Sequence, residues 1–398
     1  ARERDVVDHR MTREPLMHGI DDLIDGLVAY LVRCQQSDGE HAGSFWSELA
    51  YHIPLLDYRA GGSHHNRTVG SAALAFMRLA DGYPDADLRS RAEGAFDWIA
   101  TRQHDDGGLA EIVNGDRPSQ FHLDRERSSI SLGMACHGMH ASLHLGLPHK
   151  DAYRRFLVQA ARWQLTVETD PGNFLHSEGY PPDKLILNGS AHAAETLLIA
   201  AEWADDAPEA DGFRAGAARA IEAIVRLQRD NGMLPYSNYG NDNSISYTAT
   251  VAWVFQNLID ADLMPTVLRC AVDGALTRAN AFLQSCVRDD GSIDWDTHEN
   301  HGQKYHTWVY GLMARALAWH SDEAATRLVG FLRRELYNPE KRLCRLYDFP
   351  IGEERDVCGR QVLSEEFHEC AYHQADLLEC LVDTRALATA AGTGRGGG

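Results

Sequence analysis

Five stretches of this sequence share one pattern, and the pattern leaves few folds open. Residues 26–39, 94–108, 160–172, 220–232 and 280–291 each set apolar side chains at helical spacing. Each then breaks at an acidic or amide residue followed by glycine, which suits the positive φ that ends a helix. The break glycines Gly39, Gly107, Gly172, Gly232 and Gly291 recur at intervals of 59 to 68 residues, room for two helices and two loops. A sixth, degenerate copy covers 327–344, where Asn338-Pro339 supplies the break. After each break comes a loop and a second helix richer in small and apolar residues, over 66–80, 128–146, 187–204, 244–261, 304–320 and 366–382. These lack a polar face, which demands burial on all sides, whereas the first set is amphipathic and suits an outer ring. Alternating outer and inner helices, six of each, predict an all-α fold: an (α/α)6 toroid of six helical hairpins. No βαβ pattern or glycine-rich nucleotide loop accompanies them.

The 398 residues, 44% of them hydrophobic, are ample for such a core. The toroid is expected over 20–383 as a single domain, with an N-terminal arm at 1–19 and a disordered tail at 384–398. Lys+Arg 38 against Asp+Glu 58 gives a net charge of −20. That balance argues against nucleic-acid binding, which needs basic surface, and against docking on anionic membranes. An anionic substrate stays possible, because a few arginines can reverse the field in a cleft. There is no apolar run of about 20 residues to span a membrane, and ARERDVVDHRMTREP lacks a signal-peptide core. Eight scattered cysteines without a CxxC fit reduced, buried thiols. The expected location is cytoplasmic.

The Gln-x-x-Asp-Gly breaks at 35–39 and 103–107, each after an aromatic-bearing helix, resemble the repeats of terpenoid cyclases and protein prenyltransferases. The count of six hairpins resembles the carbohydrate-active toroids: polysaccharide lyases, glucuronyl C5-epimerases and six-hairpin glycosidases. The resemblance covers roughly residues 20–383 and is one of architecture. It implies an enzyme.

In this connectivity all six inner helices start at one end, so their heads and the preceding loops line one funnel. Helix N-termini favour anions. Asn188 is an ordinary helix-start residue, but capping does not call for the His, Tyr, Trp and Arg found at the other heads. Removing a proton α to a carboxylate needs groups that neutralise the carboxylate, plus a base and an acid. His65, Asn66 and Arg67, with Tyr305, His306 and Tyr247, supply those types. Arg127, Asn188, His192, Glu299, Lys304 and His373 add polar contacts, and Trp295 and Trp308 offer faces on which a sugar stacks. Alginate- and chondroitin-type lyases of this fold use the same residue types. The leading expectation is a lyase or epimerase acting on a uronate-containing oligo- or polysaccharide.

Glycoside hydrolysis needs two carboxyls, about 5–5.5 Å apart if retaining and about 6.5–9.5 Å if inverting. Asp294, Asp296 and Glu299 in one loop, or Glu178 and Asp183 in another, are the candidates. A terpenoid cyclase is a third reading, on Asp294-Trp295-Asp296, a D-x-D lacking the fourth position of the D-x-D-D motif. A non-enzymatic helical-repeat binding protein with an extended concave face is a fourth. The stretch Val287–His320 is the richest in acids, bases and aromatics, and its inner helix is expected to carry Lys304, Tyr305, His306 and Trp308 in the first turn. Two groupings have metal-like spacing: His137, His140 and His144 beside Cys136, and Cys370 with His373. Cys136-His137-Gly138 resembles the Cys-His-Gly of zinc-dependent lanthionine cyclases, but their W-C-Y-G stretch is missing here. No metal or cofactor is expected. The expected partner is a small-molecule or oligosaccharide substrate, with no nucleic acid or membrane.

Overall fold

The computed structural model describes residues 13–47, 63–113, 126–239, 244–298, 304–320, 322–357, 360–364 and 370–393. Six helical hairpins follow one another. α1 (Arg13–Cys34) and α2 (Asn66–Leu79) form the first, α3 (Leu88–Ala100) and α4 (Ser129–His144) the second, α5 (Asp151–Thr166) and α6 (Leu187–Trp203) the third. α7 (Ala207–Arg226) and α8 (Ile245–Asp260) form the fourth. The fifth pairs α9 (Thr266–Ser285) with α11 (Trp308–Ala318), with the single turn α10 (Trp295–His298) between them. The sixth pairs α12 (Asp322–Phe331) with α13 (Ala371–Thr393). The even-numbered helices to α8, with α11 and α13, pack each on the next, and α13 packs back on α2. That closed inner ring is the (α/α)6 toroid, with α1, α3, α5, α7, α9 and α12 outside it. Burial follows the sequence pattern: every residue of α6 from Leu187 to Ala201 is buried, while α7 buries a single stripe. No described helix is long and apolar enough to cross a membrane.

Short antiparallel strands tie the loops. β1 (Trp46–Ser47), β2 (Ser63–His65) and β3 (Ile112–Val113) form one sheet, with His64 opposite Val113 and His65 opposite Ile112. β4 (Glu168–Asp170) pairs with β5 (Asn173–Phe174), β6 (Tyr337–Asn338) with β7 (Leu343–Cys344), and β8 (Glu354–Val357) with β9 (Arg360–Leu363).

The glycine breaks are fasteners between neighbouring units. A Cβ on Gly107, Gly172, Gly232 or Gly291 would stand 2.1–2.3 Å from a backbone carbonyl of the next outer helix, at Gln159, Arg219, Arg278 and Arg327. All four glycines have positive φ. The glutamine four residues earlier closes the same joint: Gln228 Nε2 donates to Gly232 O and to Ala275 O in α9, both at 2.8 Å. Gln103 repeats this with Gly107 O and Phe156 O. In the third unit Glu168 substitutes, accepting from Gly172 N–H and pairing with Arg219. The first unit differs from the sequence expectation. Gly39 has open space around it, and Gly43 instead meets Gly94 O, bonded through its own carbonyl to Gln35. The last joint, between α12 and α1, has no such glycine turn. There the Tyr337 hydroxyl sits where a Cβ on Gly26 would be, and Arg333 pairs with Asp22.

Gly232→Ala should therefore destabilise the protein well beyond the roughly 1–3 kcal/mol of a strained backbone position, because the new methyl meets a carbonyl that cannot move aside. Gly39→Ala, equally at positive φ but in open space, should cost the strain alone. Denaturant midpoints of the two variants test this; equal losses would refute the fastener.

Three boundaries differ from those read in the sequence. α1 starts at Arg13 and α13 runs on to Thr393, past the expected limits of 20 and 383. α11 starts at Trp308, so Lys304, Tyr305 and His306 lie in the turn before it. That turn is held by the 340s segment: Asp348 N–H donates to Tyr305 O, Thr307 N–H to Leu346 O, and Tyr305 adopts φ +68°.

Candidate active site

All six inner helices contribute to one small recess at the axis of the ring, with about 40 Å³ of internal space. Of the residues singled out in the sequence, Arg67, Asn188, His192, Tyr247 and Trp308 line it. Glu111, His176, Trp253 and Asp376 line it too, and none of these was picked out in advance. Arg67 Nη2 bonds Asp376 Oδ2 at 2.7 Å, Ser71 Oγ donates to Asp376 Oδ1, and the guanidinium lies over the Tyr372 ring. Burial pushes the Asp376 carboxyl up, against the pull of Arg67.

Glu111 reaches the recess from the loop before β3. Its Oε1 accepts from Ser128 Oγ, and its Oε2 is buried without a protein partner. Burial raises its pKa, against the pull of Arg67 and the Ser128 hydrogen bond. Asn188 Oδ1 and the indole N–H groups of Trp253 and Trp308 are likewise buried and have no hydrogen-bond partner among the described residues. Buried polar atoms ordinarily find partners, so this set reads as a place for a hydroxyl-rich ligand.

His192 sits in the wall of α6 facing α4, where only glycine fits opposite: a Cβ on Gly133 would lie 2.5 Å from His192 Cβ. One turn below, Glu195 Oε2 is 3.5 Å from His192 Nδ1, and Glu195 Oε1 is 2.9 Å from His137 Nδ1. His137 Nε2 is 3.1 Å from Glu379 Oε1. Burial works against charge on His137, but Glu195 and Glu379 overcome it and push the imidazole up to about 10. Glu195 is likewise held low by His137 in spite of burial. The sign for stability follows. A folded value above the unfolded 6.5 gives a contribution that is complete below about 6.5 and lost as pH rises through about 10. Urea midpoints should fall across that window, and fall less in His137→Gln; a wild-type midpoint that tracks the variant's would count against a charged His137.

The other predicted residues lie elsewhere. Tyr305 OH donates to Asp296 Oδ1 at 2.7 Å, and Lys304 Nζ pairs with the same oxygen at 3.0 Å. Asp294 pairs with Arg288, and Trp295 donates to Asp348. Arg127 is held by Glu178 at 2.5 Å, and Asp183 accepts from Tyr239. His306 is fully buried, edge-on to His373 and Tyr347. His65 stacks on Tyr372, and its pKa is driven well down by burial and then by Arg67. Asn66 Nδ2 donates to Ala110 O. None of these lines the recess. Glu299 lies outside the described residues.

The histidine ladder on α4 splits. His137 turns inward, while His140 and His144 face Glu202, with Nε2 to Oε2 distances of 3.6 and 4.0 Å. Trp203 Nε1–H donates into His140 Nδ1 at 3.2 Å. That leaves the ring proton on Nε2, the atom facing Glu202, so His140 presents a donor there and no lone pair for a metal.

No protein-family model matches the chain, and no curated protein does. Solved structures do match. A cellobiose 2-epimerase from Bacillus thermoamylovorans B4167 superposes with a TM-score of 0.65 at 11% identity, over 93% of this chain and 99% of that one. A D-mannose isomerase gives 0.60 at 12%, over 96% and 99%. A type II terpene cyclase from Scytonema, in complex with geranylgeranyl dihydroxybenzoate, gives 0.58 at 14%, over 94% and 99%. At these identities the likeness is one of fold, and the fold is the (α/α)6 toroid.

Proposed function

We propose that the axial recess is the active site of a carbohydrate enzyme, an epimerase or lyase. It would abstract a proton from the carbon next to a sugar carboxylate or carbonyl, with uronate-containing oligo- or polysaccharides as the first substrate class. One observation carries this: a histidine near a buried carboxylate, an arginine, a tyrosine and a second buried carboxyl converge on a recess whose buried polar atoms include several without a partner among the described residues. His192 takes the proton on Nε2, and the C–H electron pair stays on the substrate as an enolate. Arg67 and the Glu111 carboxyl face the enolate oxygen, where preorganised donors count most. Tyr247 returns a proton. Asn188, Trp253 and Trp308 hold hydroxyls. Sugar epimerases and isomerases with this fold support the reading. Hydrolysis is the second reading, favoured by two buried carboxyls, Glu111 and Asp376, on the same recess.

Incubation in D2O with uronate oligosaccharides and with reducing disaccharides tests it. Deuterium entering α to the carboxyl or carbonyl, with or without a new C=C absorbance, is the expected result. New reducing ends without exchange would shift the assignment to hydrolysis, and turnover of a polyene alone would overturn both.

A further inference from the structure

Below the recess, a layer of charge crosses the ring, between the Arg67–Asp376 pair above it and the Arg315–Asp383 pair beneath. His137 on α4 stands between Glu195 on α6 and Glu379 on α13, and all three are more than nine-tenths buried. Trp253 closes the layer edge-on, 5.6 Å from the His137 ring and 6.0 Å from the His192 ring. A second, larger cavity opens at the far end of the ring and reaches His137 and Glu195 from beneath. The layer is thus the floor of one cavity and the ceiling of another. A buried ion trio costs desolvation that apolar packing would avoid, so stability is a weak reason for it.

Its geometry gives a better reason. Glu195 faces two histidines: Oε1 pairs with His137, while Oε2 stands 3.5 Å from Nδ1 of His192, which lines the recess, and neither of these two atoms has a hydrogen-bond partner among the described residues. We propose that His137, Glu195 and Glu379 form a positioning unit that fixes the tautomer and basicity of His192 from below. His137 holds the Glu195 carboxylate in place with Nδ1–H, and Glu379 holds His137 through Nε2–H. Glu195 Oε2 then accepts His192 Nδ1–H, which leaves the Nε2 lone pair for the recess. When Nε2 gains a proton, the imidazolium forms against a carboxylate already in place. The 3.5 Å separation is long for a hydrogen bond, as such bonds often are without substrate. Among the described residues, the other charged or titratable groups facing His192 are Arg67, Glu111, His176, Tyr247 and Asp376 across the recess, and Cys136 and Cys380 in the adjoining helices. This inference rests on the reading of His192 as the base.

The test is made on the full chain labelled with 15N-histidine, following the ring nitrogens of His192 by NMR across pH, with His192→Gln as the assignment control. In the wild type the neutral ring should carry its proton on Nδ1. Glu195→Gln should mix the His192 tautomers. The double variant His137→Gln/Glu379→Gln removes one charge of each sign. It should do the same, and it gives the answer if Glu195→Gln does not fold. On an active substrate the acid limb of the kcat profile should shift with the NMR titration while KM holds. If the His192 tautomer and titration stay at wild-type values in both variants, the positioning unit is refuted. If they shift but no sugar exchanges its α proton, the unit stands and the proposed reaction fails.

Discussion

His192→Gln should lower kcat by on the order of 10²–10⁴-fold, the usual worth of a positioned acid or base, and leave the fold cooperative. The two side chains are close in volume. A glutamine amide at 192 can still donate toward Glu195, so the polar contact of the wall survives, and Gly133 still leaves room for it. What glutamine cannot do is take a proton. KM should change little, because the hydroxyl-binding groups Asn188, Trp253 and Trp308 are untouched. Steady-state rates with whichever substrate exchanges its α proton in D2O supply the measurement, and a variant with more than a tenth of wild-type kcat would remove His192 from the chemistry. Tyr305→Phe, by contrast, should leave most of the activity, since its hydroxyl is spent on Asp296.

Arg315→Met should cost about 3–5 kcal/mol, the usual penalty for removing one partner of a buried ion pair. Arg315 is almost fully buried near the far end of α11. Its Nε donates to Asp383 at 3.1 Å, Nη1 to Gln256 at 3.0 Å and Nη2 to Asp260 at 2.8 Å. Three inner helices, α8, α11 and α13, are thus joined by one guanidinium. Burial pushes the Asp383 carboxyl up, and Arg78 and Arg315 together more than reverse this. Methionine fills the space of the stem but leaves Asp383 with Arg78 alone. Urea unfolding should show the loss as a shifted midpoint. Adding Asp383→Asn to Arg315→Met should recover part of it, since the stranded charge goes with the carboxylate. Loss of less than about 1 kcal/mol in the single variant, the range of an exposed pair, would refute the account.

The ring was legible in the sequence because its two helix types differ in periodicity and its breaks differ in chemistry. The amphipathic stripe of α7 and the all-round burial of α6 are the same facts seen twice. The break glycines also marked the joints, although Gly39 and Gly43 changed places, because the chain after Gln35 runs four residues further before it meets α3. The site was legible only in part. Attention to helix heads found Arg67, Asn188 and Tyr247, which lie one turn or less inside the ring. It also pointed to Tyr305 and His306, whose side chains turn into local packing because the chain reaches α11 through a positive-φ turn pinned by the 340s segment. Glu111 and Asp376 were missed for the opposite reason. Glu111 is a lone acid within an apolar run, LAEIV, and Asp376 sits on a helix whose residues around it are all buried. A charge there has no solvent to face, so it must face a cavity or a partner. The same reading would have found Glu195, Arg315 and Glu379.

The joints of the ring are not all alike, and this has a mechanical consequence. Successive outer helices are locked by a backbone turn pressed on a carbonyl, a contact without freedom of rotation. The closing contact, Tyr337 in the notch at Gly26 with Arg333 on Asp22, is made by side chains that can swing away. A hoop with one soft rivet yields there first, like a split washer. Thermal opening of the outer ring is then expected to start where α1 meets α12.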